Sequence, residues 1–412
     1  MSTKPWPRLP HAAAVAFAAL ATAVAASLAT AQEVPTSVRI GWSLAKSGPN
    51  AALTDVTIRP NYDMWVKEVN AAGGLMLKAH GKRVPIEVVE YDDRSNTEET
   101  VRALERLITQ DKVHFVLPPA GTAANIAAAP TFAKHGLPLL GTTVQTERAP
   151  ELSKRWPNLF FLLGDNRRYA DALMNLLEAA RKAGRIGDKV AMIHVADAFG
   201  VENASAARKQ ALEHGFKLVV DKSYPPGSQD LSPLLNEIKA QAPDVFIAFS
   251  YPPDTVLLSD QARVAGLNTK VFFTGIGTQF PFFRAKYGAG AEGQMGFGGI
   301  DGDSPRMKDY LARFKAANGK DAENWASPVT YASLQVLQQA IERVGTLDRE
   351  AVLKDIRSGS FDTVLGTIRL GNPVLNGATF MIGQWQNGVF QGIAPESKPG
   401  AKPPLIPKPA WQ

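Results

Sequence analysis

Short apolar runs rich in β-branched residues alternate with longer amphipathic stretches along most of the chain. In the first third, strands are predicted at 37–44, 84–91, 113–117 and 137–140, and helices at 59–72, 97–110 and 122–135. Between residues 97 and 110, the apolar side chains Val101, Leu104, Leu107 and Ile108 form one buried stripe. Strands separated by helices predict a parallel sheet with right-handed crossovers.

The same rhythm restarts near residue 159. Strands are predicted at 159–163, 189–195, 217–223, 245–249 and 271–274, and helices at 169–183, 202–214, 231–241 and 255–265. The second series has about the length of the first. The two series of strands and helices share no residue pattern. The chain therefore repeats an arrangement of secondary structure without a sequence repeat.

The last third breaks this rhythm. Helices are predicted at 305–318, 328–344 and 348–358, and strands at 363–370, 379–386 and, after a turn at Gly388, 389–393. The segment 396–412 is rich in Pro and Lys, which predicts a loosely ordered strap or linker. The pattern as a whole predicts an α/β protein.

The N-terminus indicates export. Lys4 and Arg8 precede an uncharged stretch, 12–29, which is rich in Ala, Val and Leu and ends at Ala29-Thr30-Ala31. This pattern is typical of a signal peptide covering residues 1–31. A poorly hydrophobic anchor that stays attached is the alternative. With no Cys after the signal, we expect no lipid anchor and a mature chain beginning near Gln32.

Composition narrows the class of protein. Hydrophobic residues make up 45% of the chain and charged residues 20%, which is typical of a globular protein. About 380 residues follow the signal, which favours two domains. Cys is absent, so disulfides and thiolate sites are excluded. The formal charge is +6, but the basic residues are scattered, and this argues against a nucleic-acid partner.

A series of motifs carries a resemblance to a known family. They are, in chain order, VRIGWSLAKSGPNA, VNAAGGL, IEVVEYDDRSNTEETV, PPAGTAAN, GLPLLGTT, IHVADAFGVENA, PDVFIAFSYPPD and TYASLQVLQQAIERVG. In their order and spacing, the chain resembles the type I periplasmic binding proteins of the branched-chain amino-acid receptor group. These proteins are the solute receptors of ABC importers.

The resemblance implies two Rossmann-like lobes with parallel-type central sheets, joined by three crossover segments. Lobe one would comprise 35–163 plus 300–366, lobe two 164–299 plus 367–395, and the tail 396–412. The implied function is a periplasmic monomer that traps a small carboxylate-bearing solute between the lobes and delivers it to a membrane ABC permease. No cofactor is implied.

Two facing α/β sheets would present strand ends and helix N-termini to one gap, which favours an anion. Thr122 opens a helix there, and the resemblance implies that its hydroxyl binds a carboxylate. A plain helix cap is the alternative. The resemblance also implies contacts from Thr142 and Thr143, although a turn-stabilising Thr pair remains open because the loop TTVQTERAPEL is longer than in the family.

Aromatic side chains would supply the apolar walls. The resemblance places Phe199 and Tyr251 in the cleft, where rings bury apolar solute surface and a Tyr can also donate a hydrogen bond. For Phe199 the alternative is a core position under its helix. Trp42 ends the first strand, and lining the cleft and core packing are both open for it.

The chain departs from the family at Gly277. The resemblance implies a carboxylate near this position that pairs with a ligand ammonium, but the sequence here is Gly275-Ile276-Gly277. A buried ammonium without a counter-charge is strongly disfavoured. We therefore expect a ligand with a carboxylate and no α-ammonium, such as an aromatic or short organic acid. Asp254 or Asp197 could still supply the missing charge.

Catalytic motifs fail in context. Ser43 to Lys46 fits S-x-x-K, but the Ser ends a strand where a helix start is required. Residues 288–293 fit G-x-G-x-x-G without the strand and helix that a dinucleotide site needs. Six dispersed His residues show no metal-ligand spacing. We predict no enzyme and no metal; the alternatives are a sensing receptor for a signalling partner and, less favoured, a secreted α/β hydrolase.

Overall fold

The computed structural model describes residues 1–3, 35–375 and 379–411. Contacts within the chain group its residues into two compact units, 1–36 and 37–412. The fold described below is that of the unit 37–412. Apart from residues 1–3, the expected signal peptide lies outside the described residues. Within the described ranges, no helix combines the length and the apolarity needed to cross a bilayer.

Strands and helices alternate as far as residue 297. The strands β1 to β16 are, in chain order, Val38–Ser43, Leu75–Leu77, Lys82–Val84, Ile86–Tyr91, Phe115–Val116, Leu139–Gly141, Leu159–Phe161, Lys189–Val195, Lys217–Tyr224, Val245–Phe249, Val271–Thr274, Met295–Phe297, Ser360–Thr363, Gly366–Arg369, Ile382–Gln386 and Val389–Ala394. The helices α1 to α12 are Arg59–Ala71, Thr97–Thr109, Thr122–Lys134, Ala149–Arg155, Asn166–Lys182, Ala198–Glu213, Ser232–Ala240, Pro252–Ala265, Pro281–Tyr287, Pro305–Asn318, Ala326–Val344 and Arg349–Ser358. A helical turn, Ala51–Leu53, and a π-helical segment, Thr54–Ile58, lead into α1.

Two parallel-dominated sheets form the framework. The smaller has the order β4-β1-β5, all parallel, and β6 and β7 form a separate parallel pair. The larger has the order β16-β15-β12-β11-β10-β8-β9. Its strands from β12 to β9 are parallel, whereas β15 runs antiparallel to β12 and β16. The predicted α/β class with parallel sheets is confirmed.

Several predicted elements have the observed bounds, and others need correction. The strands Lys189–Val195, Val245–Phe249 and Val271–Thr274 are as predicted. The predicted strand 363–370 is wrong: Gly366, with a φ of +92°, turns the chain so that β13 and β14 form an antiparallel hairpin. Pro85 separates β3 from β4 because it lacks a ladder N–H. The sequence reading missed β2, β12, α4 and α9.

The last third of the chain contributes to both sheet systems. Helix α11 packs on α1 and β2, and α10 also packs on α1. Strands β15 and β16 instead extend the large sheet. Two isolated parallel bridges join distant parts of the chain in this region. One pairs Phe161 with Val374, and the other pairs Ile300 with Gln391. The last third of the chain is therefore shared between the two sheet systems, and the two-lobe division stays a prediction.

The C-terminal tail is fixed to the large sheet, so the prediction of a loosely ordered strap is wrong. The Leu405 N–H donates to Gln384 Oε1 at 2.7 Å, and the Lys408 N–H donates to the Lys270 carbonyl at 2.8 Å. Trp411 Nε1 donates to the Leu267 carbonyl at 2.8 Å. Proline limits backbone freedom but does not prevent a segment from docking through the groups that remain.

Trp411 is expected to anchor this tail. Lys408 Nζ lies 3.5 Å and Arg263 Cζ 4.3 Å from its ring, and Phe272 meets it edge-on at 5.1 Å. We expect Trp411→Ala to lower the free energy of unfolding by about 1 to 3 kcal/mol, measured by urea denaturation. Val264→Ala, at a fully exposed position, is the control. An unchanged midpoint for Trp411→Ala would show that the tail adds nothing to stability.

Candidate functional site

Two adjoining cavities lie where the strands of both sheets end. The outer cavity has a volume of about 240 Å³ and is lined by loops that follow β1, β4, β5, β8, β9 and β10. The inner cavity, of about 10 Å³, lies beside it. Gly121, Thr122 and Tyr251 line both. Because strand ends of parallel sheets collect loops and helix N-termini, this is the place where an α/β protein binds a ligand.

The first wall is the start of α3. Gly121 has a φ of +87°, which favours glycine, and its N–H donates to Thr143 Oγ1 at 3.0 Å. The Thr122 hydroxyl lies 3.3 Å from both the backbone N and O of Gln145. Thr122 is 4% exposed and Thr143 is 8% exposed. Hydroxyls and N–H groups at the positive end of a 13-residue helix suit a carboxylate.

The loop after β6 supplies Gln145. This side chain is buried and lines the inner cavity. Neither its Nε2 nor its Oε1 has a hydrogen-bond partner. A buried amide with both polar atoms unpaired is uncommon in folded proteins, which marks this loop as a polar contact surface of the cavity.

Aromatic side chains from distant segments form the opposite wall. The rings of Phe199 and Tyr251 lie 5.1 Å apart. Trp325 stacks on Phe297 at 5.4 Å, and its Nε1 donates to the Tyr169 hydroxyl at 2.9 Å. Phe199, Tyr251 and Trp325 all line the inner cavity. Its volume leaves room for about one water molecule, so a flat apolar group would meet these rings only after the walls move apart.

Local hydrogen bonds fix these side chains. Asp197 caps α6 by accepting from the Gly200 N–H at 2.9 Å, and its other oxygen accepts from the Tyr251 hydroxyl at 2.9 Å. Gly200 is required because a Cβ would lie 2.0 Å from the Val195 carbonyl oxygen. Burial, followed by the charge of Asp197, raises the pKa of the Tyr251 hydroxyl well above its usual range. Tyr251 therefore stays neutral and acts as a hydrogen-bonding group.

Carboxyl groups line the outer cavity. Asp93, Asp197 and Asp254 lie there, and none of the described residues lining either cavity is Lys, Arg or His. Burial raises the pKa of the Asp254 carboxyl, although the Tyr251 N–H and the Tyr224 hydroxyl donate to it. These carboxyl groups favour hydrogen-bond donors of a ligand at the outer end of the site, whereas the hydroxyl and N–H groups at the start of α3 suit a ligand carboxylate.

The structure brings four of the seven predicted site residues together. Thr122, Thr143, Phe199 and Tyr251 line the inner cavity. Asp197 and Asp254, considered for the missing charge, line the outer cavity. Among the described residues, no three or more His, Cys, Asp or Glu side chains are grouped so that they could hold a metal ion.

Three predicted site residues line neither cavity. Trp42 is 1% exposed and packs against Tyr62 at 5.3 Å, so it takes the core position that the sequence left open. Thr142 is buried next to Thr143. Gly277 lies behind Ile276, which does line the inner cavity. An acid at Gly277 is sterically blocked, because a Cβ there would lie 2.9 Å from Pro252 Cα.

The sequence reading missed Trp325 and Gln145. Trp325 precedes α11 and reaches the cavity from a segment more than a hundred residues beyond Phe199. A lone Trp before a helix gives no local signal of this role. Gln145 lies in the loop TTVQTERAPEL, whose expected extra length relative to the family is the one indication that the sequence offers.

Comparisons with known proteins identify the family of the chain. The family model described as "Periplasmic binding protein" matches residues 37–388. A Leu/Ile/Val-binding protein homolog 3 of Brucella melitensis is 27% identical over 376 residues, covering 90% of this chain and 97% of that protein.

Solved structures share the fold. The branched-chain amino acid transporter substrate binding protein LivJ from Streptococcus pneumoniae, in complex with isoleucine, superposes with a TM-score of 0.74 at 22% identity, covering 90% of this chain and 100% of that one. An ABC transporter solute binding protein from R. palustris, in complex with benzoate, gives a TM-score of 0.73 at 18% identity, covering 91% and 98%. The fold is therefore that of the type I periplasmic binding proteins.

Proposed function

Because this chain belongs to the type I periplasmic binding protein family, we propose that it is an exported receptor that captures a small carboxylate and delivers it to a membrane ABC permease. Its relatives are solute-binding proteins, which supports a role in binding and not in catalysis. We propose the periplasm as its location and a monomer as its working form.

The observation that carries this proposal is the composition of the inner cavity. Hydroxyl and N–H groups at the start of α3 face aromatic walls that come from the loops after β8 and β10 and from the start of α11. A solute with a carboxylate at one end and an apolar body would satisfy both sides at once.

We propose closure between two lobes, 35–163 plus 300–366 and 164–299 plus 367–395. The cavity walls come from both proposed lobes. A bound solute would therefore contact both lobes and shift the population toward a closed form. The bridge that pairs Phe161 with Val374 and the bridge that pairs Ile300 with Gln391 lie at the proposed lobe boundaries. The segments that they join would serve as the hinge.

For the solute, we favour an aromatic or short organic acid without an α-ammonium. A side chain at position 277 would be strained, because its Cβ would lie 2.9 Å from Pro252 Cα, and three aromatic rings line the inner cavity. The structural neighbours include one solved with benzoate as well as one solved with isoleucine, so the fold accommodates both chemistries. Asp197 and Asp254 would accept hydrogen bonds from hydroxyl substituents at the outer end.

Calorimetry of the purified protein tests the proposal. We expect benzoate or hydroxybenzoate to bind and leucine not to bind. Thr122→Val should weaken the affinity for the bound acid by about tenfold or more, because a buried carboxylate loses a hydroxyl partner. Thr142→Val is the matched control, since the Thr142 hydroxyl is buried, unpaired and outside both cavities.

The outcomes separate the parts of the proposal. Tight binding of leucine would contradict the proposal that the solute lacks an α-ammonium, but it would leave the proposed receptor role intact. Conversion of any bound acid into a product would contradict the receptor role itself. Equal losses for Thr122→Val and Thr142→Val would place the carboxylate somewhere other than the α3 end.

A further inference from the structure

Gln145 is the feature of the inner cavity that the proposed function leaves without a role. Its side chain is 2% exposed, and both polar atoms of its amide lack a hydrogen-bond partner. An amide brings both a donor and an acceptor, and burying either one unpaired costs free energy comparable to a lost hydrogen bond. Folded proteins retain such groups where they serve a purpose.

The backbone of this loop holds the Gln145 side chain in place. Val144 is fully buried against Gly141, where a Cβ would lie 2.4 Å from Val144 Cγ1. The backbone N and O of Gln145 lie 3.3 Å from the Thr122 hydroxyl. Anchored from both sides, the side chain has to extend into the cavity between the α3 start and the aromatic wall.

The nearest polar neighbour of the amide is the Tyr169 hydroxyl. The Gln145 side chain is close enough to oppose the rise that burial causes in the pKa of this hydroxyl, but the two groups do not meet in hydrogen-bond geometry. That hydroxyl accepts from Trp325 Nε1 at 2.9 Å. Among the other lining residues, Leu53, Leu163 and Ile276 offer no polar side-chain atom. The Thr143 hydroxyl accepts from the Gly121 N–H, and the Tyr251 hydroxyl donates to Asp197. A solute in the inner cavity can therefore supply the hydrogen-bond partners that the amide lacks.

We propose that Gln145 is a specificity-determining residue that selects solutes carrying a hydrogen-bond acceptor and a donor on neighbouring atoms. Two adjacent hydroxyls on an aromatic acid fit this requirement, since one donates to Oε1 while the other accepts from Nε2. A plain aromatic acid leaves at least one amide atom unpaired, so it binds more weakly. This inference rests on the proposed function and narrows its solute class.

The first test compares two acids by calorimetry, benzoate and 3,4-dihydroxybenzoate. Wild-type protein should bind the dihydroxy acid at least tenfold more tightly. Gln145→Met, which keeps the length of the side chain but removes both polar atoms, should reduce this ratio to about one, because both acids then meet the same apolar surface. A ratio that survives in Gln145→Met overturns the inference.

The matched control is Gln294→Met. Gln294 is fully buried and also has an unpaired Oε1, but its Nε2 donates to the Gly290 carbonyl and it lines neither cavity. Its substitution should leave the ratio of the two affinities unchanged. If Gln294→Met also abolishes the ratio, the effect of Gln145→Met is a general consequence of altered packing, and the inference is overturned.

A second measurement needs no solute. Thermal unfolding of the unliganded protein should show a higher midpoint for Gln145→Met than for wild type, because an unpaired amide is removed from an apolar site. A lower midpoint means that the amide is paired within the protein, and it overturns the inference. If wild type binds neither acid, the proposed solute class fails, and the unfolding comparison still decides whether Gln145 is unpaired.

Discussion

Gly277→Ala is expected to lower the free energy of unfolding by about 2 to 4 kcal/mol. Gly277 has a φ of +116°, a backbone conformation that L side chains rarely adopt. A Cβ would lie 2.9 Å from Pro252 Cα and 3.3 Å from Thr255 Cβ. Both neighbours belong to the first turn of α8, so neither can move without disturbing Tyr251, which precedes them.

Urea denaturation at neutral pH measures this effect, with Gly290→Ala as the control. Gly290 has no positive φ, and its added Cβ would meet Arg263 Nη2 at an ordinary 3.5 Å. The control should change stability by less than about 0.5 kcal/mol. Equal midpoints for the two variants would show that the turn adapts, and an acid could then be introduced at 277.

The same constraint has a functional consequence. A carboxylate cannot be restored at Gly277 by one substitution, since the clash begins at Cβ and applies to every larger side chain. Gly277→Asp should therefore lose stability without gaining affinity for leucine. The backbone conformation at Gly277 therefore opposes any side chain at this position, whatever its charge.

The sequence predicted those parts of the fold whose residues carry a continuous pattern. Strands β8, β10 and β11 are apolar runs bounded by polar residues, and parallel strands covered on both faces require such runs. Short strands cannot be predicted from such runs. Met295–Phe297 holds three residues in a glycine-rich stretch, and it becomes a strand only because β11 and β15 flank it.

The residues of the candidate site also differ in whether a local sequence pattern predicts them. Thr122, Phe199 and Tyr251 each lie just after a predicted strand, and strand ends of parallel sheets converge on the ligand site. Trp42 lies within a strand, where residues alternate between faces, and period alone does not say which face meets the cavity. Trp325 and Gln145 reach the cavity through long-range packing that no local pattern encodes.

The stability of Glu323→Gln relative to wild type is expected to rise by about 3 to 5 kcal/mol between pH 5 and pH 9. Glu323 is fully buried at the start of α11 and accepts from the backbone N–H groups of Trp325 and Ser327. Burial raises the pKa of its carboxyl to about 8, even though these hydrogen bonds act in the opposite direction. The Trp325 and Ser327 N–H groups donate to different oxygens of Glu323. Gln keeps only one acceptor oxygen, which costs one hydrogen bond at every pH, and it carries no charge at any of these pH values.

The sign follows from proton linkage. The folded protein holds this proton up to a pH of about 8, whereas the unfolded chain releases it near its ordinary pKa of 4.5. Between these values the folded state binds more protons, so its stability falls as pH rises. The full difference is on the order of 3 to 5 kcal/mol, reached above pH 8.

Chemical denaturation at pH 5, 7 and 9 measures this effect as the difference between wild type and Glu323→Gln, which cancels the titration of other groups. Glu323→Ala separates charge from capping: it removes the acceptor for the first turn of α11 and should be less stable than Glu323→Gln at every pH. Because that turn positions Trp325, Glu323→Ala should also weaken solute binding. A difference between wild type and Glu323→Gln that stays constant from pH 5 to 9 would mean that this carboxyl does not titrate in that range, and the buried proton would then have no part in stability.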